Sequence, residues 1–173
     1  TVSSGVLNIL PDTIVMVDAG PANNGVAIVA QGGGTVSAIG THAQPIFFFQ
    51  ANGPSAMSLS QNAQNNNLSW RGMYHLNSGT SNYSYVFITG AGNAIVSSHP
   101  RPPIMHFANA HSAIVQDTVF ADCPGMGTSS IGGANGNYTF RRCLFSRLGI
   151  GGEWLGTGST LLIEDSWFTR IGR

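Results

Sequence analysis

The sequence predicts an all-β protein built from stacked, repeated units. A phrase of two polar residues, a small residue and an apolar residue, followed by Phe, occurs three times in the last third of the chain. The three copies end at Phe120, Phe145 and Phe168, so they recur at nearly constant spacing. A repeat of about 20–50 residues is typical of architectures in which each unit packs on the next.

The composition agrees with this fold class and excludes several functions. The 173 residues are 42% hydrophobic and only 8% charged, with 23 Gly and a formal net charge of zero. The length fits one domain, which we place at 1–173. The sequence has no basic stripe of the kind that would predict a nucleic-acid partner. No apolar run approaches the length of roughly 18 residues or more that a membrane span needs.

The first third reads as a series of short strands separated by turns. Apolar, β-branched segments of four or five residues alternate with Gly-, Pro- and Asn-rich turns, and no helical periodicity is present. Such spacing favours strands over helices. The predicted strands cover residues 6–9, 13–17, 26–29, 35–39 and 45–49.

Several segments resemble the coils of secreted right-handed parallel β-helix proteins of the pectate-lyase-like superfamily. The resemblance is carried by Pro11–Val17, Pro45–Phe49, Trp70–Tyr74 and Tyr85–Ile88, and it extends over nearly the whole chain. It implies a right-handed parallel β-helix, a single-stranded solenoid. The spacing of the Phe repeat sets the expected coil length at about 23–25 residues. The resemblance also implies a secreted protein, extracellular or on the cell surface.

Three segments are expected to leave the regular coils as loop excursions, near 51–69, 97–103 and 149–158. The first is rich in Asn, Gln and Ser, the second in Pro, and the third in Gly. Because no polar cap follows Phe168, we expect the chain to be a fragment of a longer β-helix. Otherwise its last coil should stack on another β-helix subunit.

The repeat also predicts which side chains form columns along the stack. With side chains alternating between the two sides of a strand, the Phe column should lie in the core. Two further columns should point inward with it, and a third should point outward. The inward columns are Val115, Phe140 and Ile163, and Thr118, Cys143 and Ser166; the outward column is Val119, Leu144 and Trp167.

Charged residues form two more columns, one on each side of the Phe strand. Asp117, Arg142 and Asp165 alternate in sign, so adjacent coils should attract each other. The other column contains Asp122, Arg147 and Arg170, in which two Arg are neighbours unless an acid or an anion compensates. The second column is therefore the better candidate for function.

The candidate site combines this second column with the Gly-rich loop. Arg147, Arg170 and Glu153 are the catalytic candidates, while Asp122 and an exposed Trp154 are the substrate-binding candidates. Arg suits bidentate contact with carboxylates. The resemblance implies that Arg147 or Arg170 acts in β-elimination on uronates beside calcium-binding acids. A surface ladder of salt bridges is the simpler interpretation.

Two function classes remain open. One is a non-catalytic β-helix module with a structural, adhesive or carbohydrate-contacting role. The other is a polysaccharide lyase or glycoside hydrolase acting in a groove, and only the lyase would use Ca²⁺. No metal site or other cofactor is predicted, since the sequence shows no compact acid cluster. His106 and His111 are interpreted as loop hydrogen-bonding residues, and pairing of Cys123 with Cys143 stays open.

Overall fold

The described part of the chain is all β, as the turn-rich sequence predicts. The computed structural model describes residues 1–18, 26–51, 70–92, 103–131, 135–155 and 158–172. These residues contain no helix, and therefore none that could cross a membrane. The strands are β1 (Val6–Ile9), β2 (Ile14–Val17), β3 (Ala27–Ala30), β4 (Thr35–Ile39), β5 (Ile46–Gln50), β6 (Gly72–His75), β7 (Gly79–Ser84), β8 (Val86–Thr89), β9 (Pro103–Phe107), β10 (His111–Gln116), β11 (Val119–Ile131), β12 (Asn137–Arg141), β13 (Leu144–Leu155), β14 (Thr160–Glu164) and β15 (Trp167–Ile171).

The strands form two sheets in which every pairing between strands is parallel. The six-stranded sheet has the order β1-β4-β7-β10-β12-β14 and is called the first face. The nine-stranded sheet is folded on itself, because the long strands β11 and β13 each belong to two rows. The second face is β2, β5, β8, the N-terminal parts of β11 and β13, and β15. The third face is β3, β6, β9 and the C-terminal parts of β11 and β13.

The spacing between paired strands is regular only in the second half of the chain. On the first face, Ala113 pairs with Tyr138, and the number of residues between them equals the number between Phe120 and Phe145. The step from β12 to β14 likewise matches the second interval of that repeat. Every step in the first half is longer, most of all the pairing of Ser37 with Asn82. The expected constant period is therefore wrong for the first three coils. Their additional residues fall between strands, where they leave the pairing intact.

The expected excursions have different outcomes. Residues 52–69 and 93–102 lie outside the described residues, and they hold most of the first two. The third expectation is wrong for residues 149–155, which belong to β13. Its glycines permit close packing rather than a turn, because a Cβ on Gly151 would lie 2.8 Å from the Phe168 ring.

The Phe column forms in the core, as the repeat predicts. The rings of Phe120 and Phe145 stack with centroids 4.9 Å apart, and those of Phe145 and Phe168 with centroids 4.5 Å apart. Phe120 and Phe145 are buried, whereas Phe168, in the last coil, is 47% exposed. The predicted inward and outward columns are confirmed. The last coil differs only in that its inward residue Ile163 is exposed as well.

Both charged columns lie at corners where the backbone adopts a left-handed conformation. All six residues have φ between 50° and 57°, which is uncommon for residues other than Gly, Asn and Asp. One corner precedes the second-face strands and the other follows them. The residues are Asp117, Arg142 and Asp165 at the first corner, and Asp122, Arg147 and Arg170 at the second.

The two cysteines are buried and form no disulfide with each other. Burial raises the pKa of Cys123 to about 12 and that of Cys143 to about 11. Both thiols are therefore protonated near neutral pH, and the pair is a structural part of the core rather than a nucleophile.

We expect Phe145→Ala to lower the free energy of unfolding by about 3–5 kcal/mol, because the ring is buried between two stacked partners. Phe168→Ala should cost clearly less, since nearly half of that ring is already exposed. Denaturant titration of both variants measures the difference. Equal losses would contradict the uncovered position of Phe168.

Candidate functional site

The corner column that the sequence favours for function is occupied by an ion pair between coils. Arg147 binds Asp122 through Nε and Nη2, with both carboxylate oxygens accepting. This hydrogen bonding raises the pKa of Arg147. Arg170 continues the column on β15 and is exposed, without an ion pair to any described residue. Asp122 thus compensates the charge of Arg147, whereas no described acid forms an ion pair with Arg170.

The first corner column contains the same kind of pair. Arg142 donates to both oxygens of Asp117, at 2.7 and 2.6 Å. On the first face, Arg141 donates to Glu164 at 2.6 Å. All three pairs join one coil to the next. The interpretation of these charges as a ladder of salt bridges is supported for every Arg in the ladder except Arg170.

Glu153 and Trp154 point to opposite sides of β13. The indole of Trp154 packs against the core rings of Tyr138 and Phe140, with centroids 4.9 and 5.4 Å apart. The expectation of an exposed Trp154 on a loop is therefore wrong, because the strand alternation turns this residue inward. Glu153 faces outward and is partly exposed. The structure does not bring Trp154 to the same surface as Glu153.

Glu153 belongs instead to a row of polar side chains on the outer side of the third face. In register, Tyr74 pairs with His106, His106 with Ser129, and Ser129 with Glu153. We call these four residues, together with Arg71 beside Tyr74, the polar row. Neighbouring strands are about 4.8 Å apart, so the row places one polar group on each of four successive coils.

The middle of the polar row is closely packed. His106 Nδ1 and Ser129 Oγ are joined by a hydrogen bond of 2.8 Å. The Tyr74 and His106 rings have centroids 5.6 Å apart, and the Arg71 guanidinium lies 5.8 Å from the Tyr74 centroid. Tyr74 and His106 are 7% exposed and Ser129 is fully buried. Burial raises the pKa of Tyr74 to about 12, although the nearby Arg71 cation opposes this shift.

The sequence hardly indicated this row. Its pattern does not indicate Tyr74 or Ser129 as site residues, and the interpretation of His106 as a loop residue is wrong, because His106 lies within β9. The available signal was alternation. Met105 and Phe107 are core residues, so His106 between them must face outward. Its alignment with Tyr74 and Ser129 could not be predicted, because the coils involved differ in length.

A second cluster of titratable groups lies inside the core and joins β6, β7 and β10. The rings of His75 and His111 stack with centroids 4.5 Å apart, and both residues are buried. His111 begins β10, so its interpretation as a loop residue is wrong as well. His111 Nδ1 lies 3.0 Å from the backbone oxygen of Asn77, which can only accept, so this nitrogen donates. His111 Nε2 then accepts from the Ser81 hydroxyl at 2.9 Å.

This assignment fixes the remaining protons of the cluster. Because Ser81 has used its only proton, His75 Nδ1 must donate to Ser81 Oγ, at 3.2 Å. His75 Nε2 then accepts from the Tyr83 hydroxyl at 2.9 Å. Every ring nitrogen has a partner while both imidazoles are neutral. Burial accordingly lowers the pKa of His111 and lowers that of His75 further, with the neighbouring His111 adding to the His75 shift.

The inner histidine cluster and the polar row therefore have different chemical capacities. The inner cluster is closed, with each nitrogen satisfied, and it holds three strands together. The polar row offers hydroxyl, imidazole, carboxylate and guanidinium groups on an outer surface. Among the described residues, no group of three or more His, Cys, Asp or Glu side chains could hold a metal ion.

Comparisons with family models, curated proteins and solved structures gave no match for this chain. The site is therefore interpreted from its own geometry.

We expect Arg147→Ala to lower the free energy of unfolding by about 0.5–1 kcal/mol, as for other partly exposed ion pairs. Arg170→Ala is the matched control, since Arg170 occupies the same corner with nearly the same φ, 54° against 53°. It should have almost no effect. A double-mutant cycle of Arg147→Ala with Asp122→Ala measures the coupling, and a coupling of zero would contradict the ladder.

Stability should fall in acid because the inner histidines stay neutral in the folded state. Unfolded histidines bind protons below about pH 6.5, whereas folding depresses the pKa of both His75 and His111. Each histidine therefore contributes stability above its unfolded pKa. That contribution decreases by up to about 1.4 kcal/mol per pH unit as the pH falls towards its folded-state pKa.

Denaturant midpoints measured from pH 7.5 to 5 test this expectation. A flat profile in the unaltered protein would show that the inner histidines can be protonated without cost.

Proposed function

We propose that this chain forms a right-handed parallel β-helix that binds a polysaccharide along its third face without cleaving it. The parallel pairing of each strand with its counterpart one coil later supports the solenoid. A secreted, extracellular or cell-surface location, as in the proteins that the sequence resembles, belongs to the same proposal. The module would then serve as a rigid, elongated contact surface.

The polar row is the observation that carries this proposal. It places a different hydrogen-bonding group on each of four successive coils, at a constant rise along the stack. An extended chain of hydroxyl-rich units running parallel to the stack would contact the row at the partly exposed Glu153 and at the narrow exposed edges of Tyr74 and His106. The buried Ser129 holds His106 in place. Tyr74 adds an aromatic ring with a polar tip, a side chain common at recognition surfaces.

Binding is favoured over catalysis by the state of the candidate residues. Arg147 is engaged with Asp122, and Trp154 packs in the core. Arg147 is therefore not free for substrate, and the partly buried Trp154 is held against the core rings. Ser129 and His106 are buried, which restricts the approach of a reacting bond. Of the sequence candidates, Glu153 lies in the row and Arg170 is exposed at the second corner.

A glycoside hydrolase or polysaccharide lyase is the second candidate function. One observation favours it: Ser129, hydrogen-bonded to His106, is followed by Glu153 in the same register. An imidazole and a carboxylate on one surface can serve general acid–base chemistry. The calcium that a lyase would use does not fit the described residues, since they contain no cluster of three acids.

We expect the protein to bind a soluble polysaccharide and Glu153→Ala to weaken this binding about fivefold or more, because the variant loses the exposed acceptor of the row. Glu164→Ala is the matched control, since it removes one carboxylate from the first face. Affinity electrophoresis against neutral and acidic polysaccharides measures both.

The outcome is judged on retention and on turnover together. Equal retention of the two variants, or no retention by any polysaccharide, would remove the row as the contact surface. New reducing ends or unsaturated products in the same mixtures would show that the protein is a polysaccharide-cleaving enzyme and not a non-catalytic binding module.

A further inference from the structure

Two buried hydrogen-bond donors at one end of the polar row have no hydrogen-bond partner among the residues that the structure describes. They are Nε of Arg71 and the hydroxyl of Tyr74. The Arg71 guanidinium lies close enough to the Tyr74 oxygen to oppose the rise in its pKa, but an arginine only donates, so the hydroxyl proton still has no acceptor. Leaving a buried polar group unpaired costs about 1–3 kcal/mol, and more when the group is charged. Most buried polar groups in folded proteins are paired, so two orphans three residues apart require an explanation.

The backbone places these two donors together on the third face. Residues three apart on a regular strand point to opposite sides. Gly72 interrupts this alternation with φ of 108°, and the Arg71 guanidinium consequently lies over the Tyr74 ring. A side chain at position 72 is excluded, because a Cβ there would lie 2.4 Å from the carbonyl oxygen of Ile104.

The segment that carries the donors is also fixed on its other side. The Arg71 amide donates to the carbonyl of Val26 at 2.9 Å, and β6 pairs with both β3 and β9. The orphan donors are thus held by paired backbone. A side chain on such a support loses little freedom when it binds a ligand.

The charge of Arg71 is uncompensated, unlike that of the arginines in the ladder. Arg141, Arg142 and Arg147 each bind a carboxylate of a neighbouring coil. Arg71 has no ion pair with any described residue, and its Nε is buried. A ligand that satisfies both orphans must accept hydrogen bonds, and a negative charge would balance the guanidinium.

We propose that Arg71 and Tyr74 form a binding site for a compact oxyanion, a carboxylate, sulfate or phosphate group. The Arg71 guanidinium donates to the anion through Nε, and the Tyr74 hydroxyl donates to another of its oxygens. The site does not depend on polysaccharide binding, since a free anion and an anionic group on a larger ligand offer the same oxygens.

Acetate, sulfate and phosphate are the probes, with chloride at matched ionic strength as the blank. We expect at least one of the three anions to raise the melting temperature of the protein saturably, by mass action on the folded state. Which anion acts distinguishes planar from tetrahedral groups. Isothermal titration calorimetry with that anion gives the dissociation constant.

Three variants separate a binding role from a structural one. Arg71→Gln should abolish the anion-dependent shift, whereas Arg170→Gln, which also removes one positive charge, should keep it. Tyr74→Phe should weaken binding about tenfold, the loss expected for one hydrogen bond to a charged group. Without anion, Tyr74→Phe should melt at the same temperature or higher, because it removes an unpaired hydroxyl.

Three results would overturn the site. The first is an anion response no larger than that of chloride. The second is an equal loss of response in Arg71→Gln and Arg170→Gln, which would indicate general screening. The third is a lower melting temperature of anion-free Tyr74→Phe, which would show that the hydroxyl has an internal partner. If Arg71→Gln fails to fold, Tyr74→Phe still decides the question.

Discussion

Parallel register between successive coils is the constraint on which the rest of this structure depends. Each side chain lies one strand spacing, about 4.8 Å, from its counterpart in the next coil. Residues at equivalent positions of successive coils therefore form a column. The Phe120–Phe145–Phe168 stack is the apolar result. The Arg–Asp pairs and the polar row are the charged and polar results of the same geometry.

The corners show how this constraint uses charged residues for structure. Turning between faces requires a left-handed residue in the last three coils, and Arg occupies that conformation as often as Asp. Arg has no intrinsic advantage there. Arg142 and Arg147 each make a bidentate contact with the Asp at the same corner one coil earlier. Their position in the stack is enough to explain these contacts. A pair of Arg and Asp in this chain is therefore weak evidence of a catalytic centre.

The sequence predicted the columns where the coil length is constant and missed the alignments where it is not. The nearly equal steps of the last coils placed Phe145 and Cys143 correctly. The longer and unequal steps before them hid the alignment of Tyr74 with His106, since insertions between strands do not show which residues pair. The glycines near Trp154 led to the wrong prediction of a loop for another reason. Gly permits both a turn and close packing, and only the Phe168 ring above Gly151 reveals which applies.

The inner histidine cluster and the polar row differ in whether their buried polar groups have hydrogen-bond partners. This difference distinguishes them more clearly than their residue types do. His75 and His111 form a complete network within the core, in which each ring nitrogen has one proton assignment. A ligand could enter it only by breaking bonds that are already made. At Arg71 and Tyr74 the balance is reversed, because unpaired donors gain when an acceptor arrives. Unsatisfied donors on a rigid face are therefore a more direct reason to propose a ligand site here than histidines or acids counted along the sequence.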